Sequence, residues 1–295
     1  RSLDQASQAL EKVNINDVPE EKRKTFLLAK EQLPAFLGII DTVESHNAVV
    51  EELLGNNGPR KYLFLLENNH ELRPTGGFIG SYALLEMQDG KVKNFFVDGI
   101  FNPDGQLKEN IVPPKPLQKV SAGWSLHDSN WFPDFPTSAE KAIFFYEKTG
   151  GPTVDGVIAL TPVVTQKLLE LTGPVSIPKY GLTVTADNFF PVIQEEVEVN
   201  YDKKENKPKA VLADLSTILL ERLLHSRDEK VLLGTLEAIT NGLNQKQMLL
   251  YVRDGRVEKL IRDAGWSGEI RMTDKDYLNV IHANINGYKT DGVIK

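Results

Sequence analysis

The sequence predicts an α/β layered sheet, and three observations lead there. Short apolar runs bounded by turn residues alternate with amphipathic segments of helix length beyond the first quarter of the chain. Those segments carry start and stop signals, such as Pro162 after Thr161 and Gly173 past the last apolar turn. The composition, 41% hydrophobic and 25% charged over 295 residues, is an ordinary globular one that can bury a full core.

Residues 1–54 are rich in Ala, Glu, Lys, Gln and Leu with apolar positions at helical spacing, which predicts helices over 3–14 and 19–54, broken at "NDVPEE" and kinked at Pro34. A hairpin packed on the main domain and a stalk leading from a membrane anchor both fit this segment. Residues 55–295 are then the α/β domain. "KYLFLLE" suits a buried strand, and "FIGSYALLEM" with "KVKNFFV" predicts a hairpin across Asp89-Gly90. The connection "ENNHELRPTGG" is longer and more polar than a tight turn requires. A long loop with Trp124 and Trp131 follows, expected to pack down on its aromatics.

Thr137 and Glu140 have capping-box spacing for the next helix. "VDGVIAL" is a strand, and Thr161 is expected to cap a second helix. "PVSIP" and "GLTVT" are short strands, followed by helices over 187–197, 209–225 and 228–242. The strand "QMLLYV", a helix stopped by Gly265 and a last strand "DYLNVIHAN" complete the pattern.

Several function classes fall away. The net charge of −7 argues against a nucleic-acid partner. With no cysteine there is neither a disulfide framework nor a thiolate metal site, which leaves the cytosol and a bacterial envelope both open. The most apolar stretch, "FLLAKEQLPAFLGII", is interrupted by Lys30, Glu31, Gln32 and Pro34 and does not read as a membrane span. The chain begins at Arg1 without a methionine, so a preceding signal or anchor is expected. There is no G-x-S-x-G elbow, P-loop or dinucleotide-binding glycine pattern, and the histidines lack ligand spacing.

What remains is a set of polar residues at strand ends, where an open α/β sheet binds its ligands. Asn68, Asn69, Glu71 and Arg73 follow the first strand, and Asp98 ends the hairpin. Asp128, Asn130 and Asp134 lie beside Trp124 and Trp131. Arg73 can grip a phosphate bidentately, carboxylates can hold a hard cation, and Gly76 and Gly77, after Thr75, let backbone amides approach an anion. The same residues also fit an internal Arg73–Glu71 ion pair, a plain glycine turn and aspartate caps.

"GPRKYLFLLENNHELRPTGGFIGSYALLEMQDGKV", "DSNWFPDFPTSAEKAIFFYEKTGG", "VDGVIALTPVVTQKLLELTGPV" and "DYLNVIHANINGYKTDG" resemble the bacterial domain of unknown function 4012 from about residue 50 to the end. The resemblance implies an extracytoplasmic envelope protein held to the cell membrane by an amino-terminal anchor, and favours the stalk for residues 1–54. More remotely, the loop bearing Arg73 and "AEKAIFFYEKTGGPTVDGVIALTPVVTQKLLELTGPVSI" resemble the LytR-CpsA-Psr proteins, which transfer glycopolymers from a polyprenyl pyrophosphate lipid to the cell wall.

That second resemblance implies a three-layer α/β/α fold with a central mixed sheet. Arg73 would hold the phosphates, Asn68, Asn69 and Glu71 would shape its loop, and Asp98 and Asp134 would hold Mg2+ or act as base, a metal-assisted phosphoryl transfer. Thr75, Gly76, Gly77, Asp128, Asn130 and Trp131 would complete ligand contacts. Pro74-Thr75-Gly76 replaces an aspartate of those enzymes, Asp98-Gly99 an arginine-aspartate pair, and Lys203, Lys204, Lys207 and Lys209 an arginine-rich segment. The expected function is therefore an envelope protein that binds a polyprenyl-phosphate-linked glycopolymer and transfers it to the wall. The alternative is a non-catalytic module gripping carbohydrate or a protein partner through Trp124, Trp131 and Phe135.

Overall fold

Apolar runs at strand spacing pair into one mixed sheet, with helices on both of its sides. The computed structural model describes residues 2–200 and 207–285. The chain divides into two compact units, Arg1–Val50 and Glu51–Lys295.

The first unit holds α1 (Ser2–Lys12) and α2 (Glu20–Ser45), with a 3-10 turn over Ile15–Asp17 between them. Asn14 starts that turn by accepting the Asn16 amide at 3.0 Å. Helix α2 runs unbroken past Pro34, and α3 (Asn47–Leu53) begins beyond it. The single helix expected over 19–54 is thus divided at His46. Among the described residues, no helix is long and apolar enough to cross a membrane.

In the second unit, β1 (Arg60–Asn68), β2 (Phe78–Gln88), β3 (Lys91–Gly99) and β4 (Gly156–Leu160) are followed by a separate ribbon of β5 (Val175–Ile177) and β6 (Leu182–Val184), then by β7 (Met248–Val252). The main sheet runs β3-β2-β1-β4-β7, parallel between β1 and β4 and antiparallel elsewhere. The β2–β3 turn has φ of 51° at Asp89 and 69° at Gly90, the type I′ geometry that matches strand twist.

The helices are α4 (Phe101–Asp104), α5 (Phe135–Lys148), α6 (Pro162–Thr172), α7 (Phe189–Glu195, continued by a π turn over Glu196–Asn200), α8 (Ala210–His225), α9 (Glu229–Asn244) and α10 (Gly255–Asp263). Alternation on β1 sends Leu63 and Leu65 into a core with Val157 and Ala159 of β4 and Ala139 and Ile143 of α5. A second core joins Leu169 of α6, Ile193 of α7 and Leu215 and Leu219 of α8 to the β5–β6 ribbon. Each fully buried leucine contributes about 1.5–3 kcal/mol of transfer free energy.

Three local expectations need correction. Helix α5 starts at Phe135, because the Asp134 carboxylate accepts the Thr137 amide at 3.1 Å and Pro136 sits in the first turn, so Thr137 lies inside the helix rather than at its cap. Thr161 occupies the cap position of α6 but donates its hydroxyl to Gln247 Oε1 at 2.5 Å instead of capping. Residues 276–284 form no strand. Their apolar side chains fall at adjacent positions with no buried face, Leu278 being 87% exposed and Val280 66%. The segment is nevertheless tied down at its end, where the Asn284 amide donates to the Leu72 carbonyl at 2.9 Å.

Candidate functional site

Arg73 is buried, and its partners are internal. Its Nε lies 3.4 Å from Asp128 Oδ1, its Nη2 3.6 Å from Glu71 Oε1, and its Nη1 donates to the Leu72 and Asn284 carbonyls. The guanidinium also sits over the Phe78 ring, 5.2 Å from its centroid. Asp128 continues the chain of charges to His127 Nε2 at 3.1 Å, and His127 Nδ1 lies 2.6 Å from Asp104. Burial works to discharge His127, but the hydrogen bonds it donates to Asp104 and Asp128 outweigh it and push its pKa up to about 9. Burial likewise opposes the Asp128 charge, and His127 and Arg73 overcome it, holding that pKa below the usual range. This ion cluster binds the 69–77 loop to the 3-10 turn over Leu126–Trp131 and to the carboxyl-terminal segment. A phosphate clamp needs an open guanidinium, so the role expected of Arg73 is corrected to a structural one.

The glycine turn does cradle an anion-forming group, but one of the chain's own. At the end of β1, alternation with Leu63 and Leu65 puts Glu67 on the buried face opposite Ile79 of β2, leaving it 3% exposed. Glu67 Oε1 accepts Asn130 Nδ2 at 2.8 Å and the Thr75 hydroxyl at 3.4 Å, and the Gly77 amide donates to the same carboxyl. Gly76 has φ of 145°, and a Cβ there would stand 2.1 Å from Glu67 Oε2; only glycine lets the loop pass so close. Asn130, itself fully buried, also donates to the Gly77 carbonyl at 2.8 Å, which locks the cradle. Burial pushes the Glu67 pKa up to about 8, against the opposite pull of Asn130, Thr75 and Gly77.

Glu67 lines a cleft at the carboxyl end of β1, between the sheet and helices α6, α7 and α8. The cleft measures about 830 Å³ with its open mouth counted. Phe189, Phe190, Ile193, Leu212 and Leu215 provide apolar walls, and Asn68, Ser81, Thr161 and Lys209 provide polar contacts. Lys209 reaches across two strands because both neighbours beneath it are glycines: its Nζ is 3.6 Å from where a Gly80 Cβ would stand, and its Cγ 3.2 Å from that of Gly99. His70 stacks on Phe190 with ring centroids 3.9 Å apart, which joins the 69–77 loop to the cleft wall.

The expected site residues thus divide. Asn68 lines the cleft, and Thr75, Gly76, Gly77 and Asn130 surround Glu67. Asn69 and Glu71 belong to the loop, with Glu71 on Arg73, and Asp128 belongs to the ion cluster. Asp98 accepts the Gly99 amide and Asn102 Nδ2, both at 2.7 Å, while Asp134 caps α5 and accepts the Ile270 amide at 3.0 Å. Each carboxylate is engaged on a separate element, and no group of three or more metal-ligating side chains occurs among the described residues. Asp98 and Asp134 therefore do not fit the Mg2+ expected of them. The aromatic grip is corrected as well: Trp124 and Phe135 are core residues, Trp124 Nε1 donates to the Asp128 carbonyl at 2.8 Å, and Trp131 packs against the same core. Lys203 and Lys204 lie outside the described residues.

Sequence reasoning missed Glu67 and did not single out the cleft walls. The available signal was a lone carboxylate ending an apolar strand directly before the Pro-Thr-Gly-Gly turn.

Residues 57–197 match the family model described as "Protein of unknown function (DUF4012)". Among solved structures, the chain is similar to protein gbs0355 from Streptococcus agalactiae, with 14% identity, a TM-score of 0.45 and 75% of each chain covered. It is also similar to the Lin1025 protein from Listeria innocua, with 9% identity and a TM-score of 0.36 over 71% of this chain and 79% of that one. No curated protein matches it.

Proposed function

Residues 57–197 belong to the DUF4012 family, and on that scaffold we propose that the cleft binds an amphipathic ligand with a phosphate head, of the polyprenyl-phosphate-linked glycan class. The observation that carries this reading is the pairing of apolar walls from α7 and α8 with Lys209 and Asn68 at the carboxyl end of β1. The apolar chain lies against Phe189, Ile193 and Leu212, and the phosphate sits at Lys209, where the first turn of α6 adds the favourable potential of a helix amino end. The choice of a lipid-linked glycan among phosphate-bearing amphipaths comes from the resemblance to LytR-CpsA-Psr proteins. The same resemblance supports a position for the domain at the outer face of a bacterial membrane.

Binding, and not transfer to the wall, is the activity proposed, because Arg73, Asp98 and Asp134 each serve another purpose. The test is titration of the protein with polyprenyl phosphate, polyprenol and inorganic phosphate in the same detergent micelles. The phosphate lipid is expected to bind at least tenfold tighter than either part, a difference of about 1.4 kcal/mol or more. Thr165→Trp, which puts an indole into the cleft from α6, is expected to weaken that binding tenfold with unchanged urea unfolding. Equal binding by T165W, or no binding of the phosphate lipid, would remove the reading.

A further inference from the structure

Ser81 lines the cleft with a hydroxyl that the fold leaves unused. It is 2% exposed, and its side chain makes no hydrogen bond among the described residues. Thr161 in the same wall donates to Gln247, and Asn68 accepts the His70 amide at 3.1 Å. A hydroxyl taken out of water without a partner costs free energy, which a well-placed ligand oxygen recovers. A purely apolar occupant leaves that cost standing.

Alternation along β2 decides where this hydroxyl points. Tyr82 and Leu84 enter the core that contains α5, so Ser81 projects from the opposite face, level with Leu66 of β1, another residue of the cleft wall. Lys209 crosses that same face. Its stem lies over Gly99, the cross-strand partner of Ser81 on β3, with Cγ 3.2 Å from where a Gly99 Cβ would stand. Its Nζ reaches Gly80, the residue before Ser81, 3.6 Å from where a Cβ would stand there. Side chains at directly opposed strand positions begin about 4.5–5.5 Å apart, so the hydroxyl and the lysine are neighbours.

A phosphate carries oxygens on several sides and can meet both groups at once. A hydrogen bond to an ionised acceptor is about twice as strong as one between neutral groups, so the hydroxyl gains more from a phosphate than from an alcohol. Resting on the reading of the cleft as a phosphate-head site, we infer that Ser81 donates a hydrogen bond to the phosphate beside Lys209 and thereby helps the cleft prefer a phosphate over an uncharged head. The lysine supplies charge, and the buried serine supplies a fixed donor on the rigid sheet.

The experiment titrates the full chain with polyprenyl phosphate, and separately with polyprenol, in the wild type, Ser81→Ala and Ser81→Cys, with urea unfolding of each. Because the hydroxyl has no partner in the fold, S81A is expected to unfold at the same urea concentration as the wild type or a higher one. It is expected to bind polyprenyl phosphate about tenfold more weakly and polyprenol less than threefold more weakly. S81C, which keeps a similar shape but has only a weak donor, is expected to lose about as much as S81A. An S81A within twofold of wild type for the phosphate lipid, equal losses for the two lipids, or an S81C with wild-type affinity overturns the role of Ser81 while leaving the cleft's ligand in place. A lower urea midpoint for S81A assigns the hydroxyl to the fold and overturns it as well. Failure of the phosphate lipid to bind the wild type removes the ligand reading and this inference with it. Should the variants not fold, crystals of the wild type with polyprenyl phosphate decide. A phosphate oxygen within about 3 Å of Ser81 Oγ supports the inference, and a phosphate beyond hydrogen-bonding reach overturns it.

Discussion

Gly76 and Glu67 define each other. The glycine's positive φ and the 2.1 Å approach its Cβ would make to Glu67 Oε2 mean that any side chain there must push the carboxyl out of its cradle or bend the loop. Gly76→Ala is therefore expected to lower the free energy of unfolding by about 2–4 kcal/mol, from backbone strain plus a displaced hydrogen-bonded group. Urea denaturation checks this, and a loss under about 0.5 kcal/mol, the size of an ordinary surface change, would show that the cradle is loose. At this scale the sequence was informative about the cradle and silent about its content. Thr75, Gly76, Gly77 and Asn130 stand out as a polar, glycine-bearing set that fits an anion. The group they hold could not be read, because a glutamate at the end of an apolar run looks like the place where a strand meets solvent. Alternation with Leu63 and Leu65 nevertheless puts it on the buried face, where an ionisable side chain is seldom found.

Among elements, the 69–77 loop is fixed from three directions. Arg73 ties it to Asp128 in the Leu126–Trp131 turn and to the Asn284 carbonyl of the carboxyl-terminal segment, and His70 rests it on Phe190 of α7. Removing the guanidinium takes one of two cationic partners from Asp128, the other being His127, and breaks the contact with Glu71. Arg73→Ala is accordingly expected to cost about 3 kcal/mol of stability and to leave the affinity for polyprenyl phosphate within twofold of wild type. Parallel unfolding and titration measurements separate this from a phosphate clamp, which predicts the reverse pattern. Turn and cap chemistry made most elements readable: Asp89-Gly90 forms the type I′ turn, and α6 begins at Pro162. The misses have local causes. Asp134 outcompetes Thr137 for the α5 cap because Pro136 already suits the first turn, and residues 276–284 have strand-forming side chains without a face to bury.

For the whole molecule, the alternation of strands and helices was enough to anticipate a mixed sheet with helices on both sides, since that pattern follows from burying each element's apolar face. The cleft was not legible. Phe189, Ile193, Leu212 and Leu215 read as core residues, and their spacing does not reveal that they stop short of filling the space above β1. Whether that space is a ligand site is the central claim, and a crystal structure of the protein grown with polyprenyl phosphate tests it most directly. The expected result is a phosphate beside Lys209 and Asn68, with the apolar chain running between α7, α8 and the sheet. A ligand seated on Arg73, or bound outside the cleft, would contradict it.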